Sequence, residues 1–418
     1  MRTQDLALPL GALALLISIN GCNKSVAKPS AQPNPKIEAI RQADYPVTLA
    51  EVNQWYATPP PEENAAPLYL EAFDALDSKS PGSPTQNKTA LELLHKAALR
   101  KKCRYPIDLN KGTQVALTHL PKFKKAAQLL CEEASLRAAK GQMELATQSL
   151  LDALRLARSL EAEPLLISHM ILVASENVIQ AALESILNRH AFTEEQLARL
   201  EAACQEAQGG LSITRCMAGE RCSGITFYQL TTPQQVELFI AAKSPDKNLD
   251  LEAYRKTPAY DADFNCYLDL MEEGINASTL PFPKIFDQVS EYSTHVREAR
   301  SKGYYISGLL LPALDTAVER AAECAGKLRV TQVALAVERY RLAHQKTLPD
   351  GLSQLAPQFL SEIPADPFDG NPVRYQKISP AAFVVYSIGK DRNDDGGVPK
   401  PPRGKSEDGY DLAFVVHR

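Results

Sequence analysis

The sequence lacks the short motifs by which many enzymes can be recognised. It has no G-x-S-x-G nucleophile elbow, no G-x-x-x-x-G-K-[ST] phosphate loop and no H-E-x-x-H zinc helix. The histidines of the central part show no i, i+4 pairing around a glutamate; they are His95, His119, His169, His190 and His295. The sequence therefore predicts no catalytic residues.

A basic stripe is also missing. The 418 residues carry a net charge of −4, and lysine and arginine are interspersed with aspartate and glutamate. Because binding to a phosphate backbone requires clustered positive charge, this pattern argues against nucleic acid as a partner. An apolar fraction of 44% and a charged fraction of 23% are typical of a globular protein with buried cores.

Cysteine is present, but not in a metal-binding pattern. The chain has 8 cysteines, with no C-x-x-C pair and no histidine near the cluster at 216–222, so a zinc site is not expected. Apart from Cys22, seven cysteines remain, and at least one of them must stay unpaired. Cys216 and Cys222 are close in sequence and are the predicted disulfide, because an oxidising compartment would permit one.

The amino terminus is typical of a targeting segment. An apolar run over residues 6–19 is too short to span a bilayer comfortably, as in the core of a signal peptide. The following Ile19-Asn20-Gly21-Cys22 resembles the lipobox of bacterial lipoproteins. The resemblance implies that residues 1–22 are a lipoprotein signal peptide and that a lipid on Cys22 anchors the chain to a membrane. An ordinary secretory signal is the alternative.

Asn23 follows the lipobox cysteine, at the position where an aspartate would favour retention at the inner membrane. The resemblance therefore implies a place in the cell envelope, at the outer membrane and facing the periplasm. Residues 23–44 contain Pro29, Pro33 and Pro35, which predicts a semi-extended, proline-rich tether.

Residues 45–303 show helical periodicity almost throughout. Thr48 with Glu51, and Thr193 with Gln196, have the spacing of a capping box, in which two side chains satisfy free amides at a helix start. Proline-rich and glycine-rich breaks separate the helices at residues 59–61, 80–84 and 209–210. This pattern predicts a helical body of about ten helices.

Residues 134–160 of the body resemble a tetratricopeptide-type helical hairpin. Gly141 falls where that repeat has its turn, and packing residues follow at Ala146, Leu150 and Ala153. The resemblance implies a solenoid-like body whose concave face would bind a protein partner. Small residues at close helix crossings explain the same pattern without homology, so a plain helical hairpin is the alternative.

Residues 304–418 predict a small α+β module. Its helix carries Val330, Val333, Val337, Tyr340 and His344 on one stripe, so an apolar layer must cover it. Three short runs rich in β-branched and aromatic residues supply that layer, at residues 373–375, 382–387 and 410–416. The predicted fold class is mainly α: a large helical array followed by a long helix packed on a short antiparallel sheet.

The module contains a series of motifs in a recognisable order. They are Glu338-Arg339-Tyr340, Leu-Pro-Asp-Gly-Leu at 348–352, Ile-Pro-Ala-Asp-Pro-Phe-Asp-Gly-Asn-Pro-Val-Arg-Tyr at 363–375, Tyr-Ser-Ile-Gly-Lys-Asp at 386–391, and an Asp-Gly-rich loop before residues 410–412. This order resembles the carboxyl-terminal domain of the major pseudopilin of type II secretion. A pseudopilin has its hydrophobic helix at the amino terminus, whereas here the matching helix follows about 300 residues. The sequence therefore predicts a pseudopilin-like module reused in a lipoprotein.

The loop before the last strand has the residue types of a calcium site. Asp391, Asn393 and Asp395 fit positions 1, 3 and 5 of an EF-hand-type loop, with Gly396 at its sharp turn. Position 12 is Pro402, which excludes a complete EF-hand. The remaining ligands would come from backbone carbonyls or from Asp394, Asp408 and Asp411. Pseudopilins of this kind bind calcium in this loop, so the resemblance implies a structural calcium ion; an acidic surface turn without metal is the alternative.

These patterns predict a non-enzymatic lipoprotein of the bacterial cell envelope. It would act as a scaffold or docking component for a protein partner that the sequence does not identify. A component of a type II secretion or pilus-like apparatus is one alternative. An enzyme whose active site forms between helices of the body is another, and no motif supports it.

Overall fold

The computed structural model describes residues 34–77, 83–230, 251–401 and 409–417. The helices are α1 (Pro35–Gln42), α2 (Leu49–Trp55), α3 (Ala66–Asp74), α4 (Lys88–Ala98), α5 (Leu120–Ala139), α6 (Met143–Arg158), α7 (Leu166–Leu187), α8 (Glu194–Gly209), α9 (Thr214–Leu230), α10 (Leu251–Tyr254), α11 (Pro258–Ser278), α12 (Ile285–Ser301), α13 (Tyr305–Leu310) and α14 (Leu314–Ala343). The strands are β1 (Arg374–Lys377), β2 (Ala382–Ser387) and β3 (Leu412–His417). They form one antiparallel sheet in the order β1-β2-β3, and the predicted fold class is confirmed.

Side-chain caps fix the starts of α2 and α8. The Thr48 hydroxyl accepts from the Glu51 amide at 3.1 Å, while a Glu51 carboxylate oxygen accepts from the Thr48 amide at 3.0 Å. Thr193 and Gln196 make the same reciprocal pair at 3.3 and 3.0 Å. Both predicted capping boxes are confirmed, and each satisfies amides that have no partner inside the helix.

Helix α1 lies within the segment predicted to be a semi-extended tether, and that prediction is wrong for residues 34–44. The Asn34 side chain accepts from the Lys36 amide at 2.9 Å and caps the helix. Pro35 occupies the first turn, where its missing N–H costs nothing and its fixed φ favours helix. Ile40 is buried in the apolar cluster that α1 joins.

Helices α5 and α6 form the hairpin that the sequence predicts. Gly141 turns the chain between them with a φ of 75°, in the left-handed region that favours glycine. Ala134, Ala146 and Leu150 are fully buried where the two helices meet. The hairpin is confirmed, whereas its relation to tetratricopeptide repeats stays a prediction.

Helix α7 is the one helix of the described residues that is long and apolar enough to cross a membrane by length and composition. Half of its apolar window is buried inside the fold, and the helix packs against α5, α6 and α14. It also carries Glu176 and Gln180 in buried positions. These features are typical of a core helix.

Helix α14 lies at the centre of the fold. Every residue from Val330 to Glu338 is buried, because α7 and α8 cover one part of the helix while β2 and β3 cover another. Val330, Val333 and Val337 are buried as predicted, whereas Tyr340 is half-buried and His344, after the helix end, is exposed. The predicted single stripe is therefore only part of a stretch that is buried on all sides, which includes the polar residues Thr331, Gln332 and Glu338.

The predicted boundary between residues 303 and 304 does not separate two cores. One cluster of buried apolar side chains contains Leu49 of α2, Leu328 of α14 and Val416 of β3. A second cluster joins α9, α11, α12 and α13 to the first turns of α14. The module and the body share α14, so neither has a complete core without the other.

The sheet has one edge covered by side chains of α7 and of Asn188, the residue that caps its carboxyl end. All six residues of the central strand β2 are buried, and Val385 pairs with Tyr375 on β1 and Phe414 on β3. On the outer edge of β3, the Val415 amide donates to Glu184 at 2.9 Å and the Asn188 side chain donates to the Val415 carbonyl at 2.7 Å. These two side chains occupy the place of a fourth strand and protect the edge.

Candidate functional site

The acidic loop, residues 389–411, connects β2 to β3 and holds the predicted metal ligands. Four glycines among its described residues adopt the left-handed conformation, with φ of 72° at Gly389, 72° at Gly396, 79° at Gly397 and 72° at Gly409. A Cβ atom at Gly397 would lie 2.9 Å from Cδ1 of Tyr386. Glycine is therefore required where the loop folds back against the sheet.

Three of the predicted ligands, Asp391, Asn393 and Asp394, are exposed. Asp391 accepts a hydrogen bond from the Asn393 amide at 3.3 Å, and Asp394 accepts one from the Gly396 amide at 3.0 Å. Both are local contacts of the kind that aspartate makes in turns. Asp408 lies outside the described residues.

The structure turns Asp395 and Asp411 towards the interior. Asp411 is 1% exposed, and its Oδ2 accepts from the Gly397 amide at 2.7 Å. Asp411 Oδ1 and Asp395 Oδ2 are buried and have no hydrogen-bond partner within the described part of the chain. Such oxygens cost free energy unless a donor or a cation reaches them.

The electrostatics of the acidic loop are unfavourable to an ionised Asp411. Burial raises the pKa of its carboxyl to about 6, although the amides of Gly397 and Asp395 partly offset this effect. The negative charges of Asp394 and Asp395 raise the pKa as well. A cation beside these oxygens would lower the pKa of Asp411 again, because it favours the charged form.

Arg374 on β1 links the acidic loop to the rest of the module. Its Nη1 donates to Asp366 at 2.7 Å and its Nη2 to Asp369 at 2.5 Å, while its Nε lies 3.7 Å from an Asp394 oxygen. Asp366 is completely buried. No role was predicted for this cluster from the sequence. The feature that could have indicated it is the spacing of two aspartates and an arginine over residues 366–374.

The acidic loop has oxygen ligands of the kind that a hard cation prefers, but its described side chains do not complete a coordination shell. Aspartate and asparagine oxygens are the ligands that calcium prefers, and the unpartnered oxygens of Asp395 and Asp411 are available for it. Among the described residues, no three His, Cys, Asp or Glu side chains converge closely enough to hold a metal ion. A complete coordination shell would need further ligands, such as backbone carbonyls or the predicted Asp408.

His95 joins three helices of the body. Its Nδ1 lies 2.7 Å from Asp152 on α6, and its Nε2 lies 2.8 Å from Glu133 on α5. Burial lowers the pKa of His95, but the hydrogen bonds and charges of the two carboxylates outweigh it and raise that pKa to about 9. A protonated imidazole with both nitrogens engaged holds helices together and is unsuited to act as a general base.

His119 and Glu163 form a second, fully enclosed pair. His119 Nε2 lies 3.1 Å from Glu163 Oε2, and their side chains are 2% and 0% exposed. The Ser168 hydroxyl donates to the other Glu163 oxygen at 2.6 Å. In a catalytic triad the serine contacts the histidine, whereas here Ser168 contacts the glutamate. This arrangement therefore lacks the order of a catalytic triad.

A third cluster surrounds Asp263 on α11, which is 0% exposed. Its carboxylate accepts from the hydroxyls of Tyr228 and Tyr254 and from the amides of Ile306 and Ser307, each at 2.9 Å. Both of its oxygens are thereby engaged. Asp263 caps α13 and fixes it to α11.

The predicted disulfide between Cys216 and Cys222 is wrong for this fold. Both residues lie on α9 as free thiols. Six residues of helix advance the chain by about 9 Å, which exceeds the Cα separation that a disulfide spans. The two thiols instead contact separate carbonyls, of Glu163 at 3.7 Å and Pro46 at 3.0 Å. Cys22 lies outside the described residues.

The three clusters around His95, His119 and Asp263 connect helices. Glu176 on α7 also has two buried oxygens without a partner in the described chain, but it is a single carboxylate inside a core helix, whereas the acidic loop brings two such oxygens from Asp395 and Asp411 together with exposed polar side chains. The acidic loop is therefore the candidate functional site. No family model matches this chain, and no curated protein or solved structure is significantly similar to it.

Proposed function

We propose that this protein is a non-enzymatic scaffold of the bacterial cell envelope, anchored by a lipid on Cys22 and stabilised by calcium in the acidic loop. The observation that carries the calcium part is the pair of buried, unpartnered oxygens on Asp395 and Asp411. Two such groups repel each other unless a proton or a cation neutralises them.

The shape of the molecule supports a scaffold. The core runs continuously from α2 to β3, and α14 is enclosed by both the body and the sheet. The buried histidines and carboxylates around His95, His119 and Asp263 are engaged with one another or with backbone amides. Such a framework supports a rigid surface for a protein partner. The pseudopilin resemblance stays a prediction, as does the secretion apparatus that it implies.

The calcium proposal predicts a metal-dependent stability. The chain from Asn23 onward, which keeps every described residue, is unfolded thermally with chelator and with calcium at about ten times the roughly millimolar Kd expected of such loops. We expect calcium to raise the Tm by about 1–3 °C, because a ligand bound only by the native state stabilises it. The Asp395→Asn/Asp411→Asn variant should show no calcium response.

The control is a variant with the same loss of charge elsewhere. Glu62→Gln/Glu132→Gln changes two exposed carboxylates of the body and should keep the full response to calcium. In chelator, the loop variant should be at least as stable as the parent, since it removes the repulsion between unpaired carboxylates. Identical Tm values for the parent with and without calcium would contradict the metal site.

The proposed lipid anchor predicts that membrane association of the chain in cells depends on Cys22. In a Gram-negative host, the full chain should sediment with membranes, because acyl chains on Cys22 hold it there. Cys22→Ser should abolish that acylation, and metabolic labelling with a palmitate analogue should then fail. Equal labelling of the parent and of Cys22→Ser would contradict the anchor, and a Cys103→Ser variant serves as the control cysteine.

A further inference from the structure

The carboxyl terminus of α14 lies beside the β1–β2 turn. Arg341 Nη1 donates to the Ala381 carbonyl at 3.3 Å, which fixes the helix end beside the turn. Residues 346–348 and 377–380 line a shallow depression of about 490 Å³ between them. We call residues 341–347 and 377–381 the basic tip.

The basic tip exposes large apolar side chains to solvent. Leu342 is 50% exposed and Ile378 is 55% exposed. Every residue from Leu342 to Thr347, and from Lys377 to Ala381, is exposed. The apolar side chains thus project from two adjacent segments, and no described residue covers them.

Positive charge accompanies these apolar groups. Arg341, Lys346 and Lys377 lie in the basic tip, and Lys346 makes no ion pair within the described part of the chain. Asp350 is the exposed acid beside them, and it pairs with Lys377 at 2.6 Å. Glu338 pairs with Arg341 but is buried. The Arg341 side chain is itself only 12% exposed, so the exposed charge of the basic tip comes from two lysines against one aspartate and is +1.

We propose that the basic tip docks on an anionic lipid bilayer. Leu342 and Ile378 would enter the interfacial region, and the flexible lysine stems would keep their ammonium groups at the level of the lipid phosphates. The depression is shallow and open, and Ile378 and Pro380 line it beside the two lysines, which suits a fluid surface. Charge complementarity with an anionic leaflet adds to the apolar contribution.

Vesicle binding tests this surface without the lipid anchor. The chain from Asn23 onward is sedimented with vesicles of phosphatidylcholine containing about one third phosphatidylglycerol, and with pure phosphatidylcholine. We expect binding to the anionic vesicles that weakens as salt rises. Lys346→Gln/Lys377→Gln should lower the partition coefficient about twentyfold, since each cation near the surface contributes about fivefold. Ile378→Ser should weaken binding at low and at high salt.

A matched set of changes on the body provides the control. Lys96→Gln/Lys125→Gln removes the same charge from exposed positions of α4 and α5, and Leu99→Ser removes a side chain that is 75% exposed. Both controls should bind like the parent. The proposal is overturned if the parent does not bind anionic vesicles, or if the control and tip variants lose binding equally. Capture by immobilised polyglutamate without vesicle binding would also overturn it and would indicate an acidic protein partner.

Discussion

Replacing Asp366 by alanine should destabilise the protein by about 3–5 kcal/mol. The carboxylate is completely buried and accepts four hydrogen bonds in the module. Oδ1 accepts from the Ser387 hydroxyl at 2.9 Å and the Phe368 amide at 3.0 Å, while Oδ2 accepts from the Ile388 amide at 2.9 Å and from Arg374 at 2.7 Å. Alanine would leave all four donors without that acceptor.

The effect should be large because Asp366 joins segments that are distant in sequence. It ties the end of β2 to Arg374 on β1, and Arg374 lies 3.7 Å from Asp394 in the acidic loop. Chemical denaturation measures the loss of stability. Asp350→Ala is the control, since Asp350 is exposed and its pair with Lys377 lies at the surface, so the unfolding midpoint should hardly change. Equal midpoints for the two variants would disprove this role of Asp366.

Replacing Glu176 by glutamine should remove most of a strong pH dependence of stability. Glu176 on α7 is 0% exposed, and neither carboxylate oxygen has a hydrogen-bond partner among the described residues. Burial raises the pKa of Glu176 to about 8, with Arg158 partly offsetting and Glu161 reinforcing the shift. The folded protein therefore holds this proton at pH 7, whereas the unfolded chain releases it near pH 4.5.

The direction of this pH dependence follows from the number of protons that each state binds. Between about pH 4.5 and 8 the folded state binds one more proton than the unfolded state at this residue, so stability falls as pH rises, and the full penalty is present above pH 8. From pH 5.5 to 7.5 the free energy of unfolding of the parent should fall by about 3 kcal/mol relative to that of Glu176→Gln. Because the comparison is a difference, contributions from His95 and Asp411 cancel.

Urea denaturation at several pH values measures this difference. Glu132→Gln is the matched control, since Glu132 is an exposed glutamate on the adjacent helix α5, and its curve should parallel that of the parent. A parallel curve for Glu176→Gln would show that Glu176 is ionised and solvated in the folded protein. Glu176→Leu should raise stability at pH 7.5, because leucine places no unpaired polar group in the core.

Local signals predicted much of the secondary structure. Both capping boxes were recognisable because a cap and its partner lie three residues apart. The bounds of β2 were predicted correctly because six consecutive residues are β-branched, aromatic or small and all are buried. The strand β3 begins at Leu412 and not at Tyr410, since the Asp411 amide donates to the Val398 carbonyl and not to β2.

Long-range contacts could not be predicted in the same way. His95 meets carboxylates 38 and 57 positions away, and no sequence spacing marks such pairs. The enclosure of α14 did have a signal: between Val333 and Val337 the helix has no polar residue on any side. An amphipathic helix shows polar positions in every turn, so this run indicated cover on several sides.

The shared position of α14 has a consequence for how the protein is made. This helix begins more than 120 residues after the end of α7, yet α7 and α8 pack against it. At about 5–20 residues per second, a ribosome would need roughly 6–25 s to supply it. During that interval the growing chain carries uncovered apolar helices, which would make it a client for chaperones that bind nascent polypeptides.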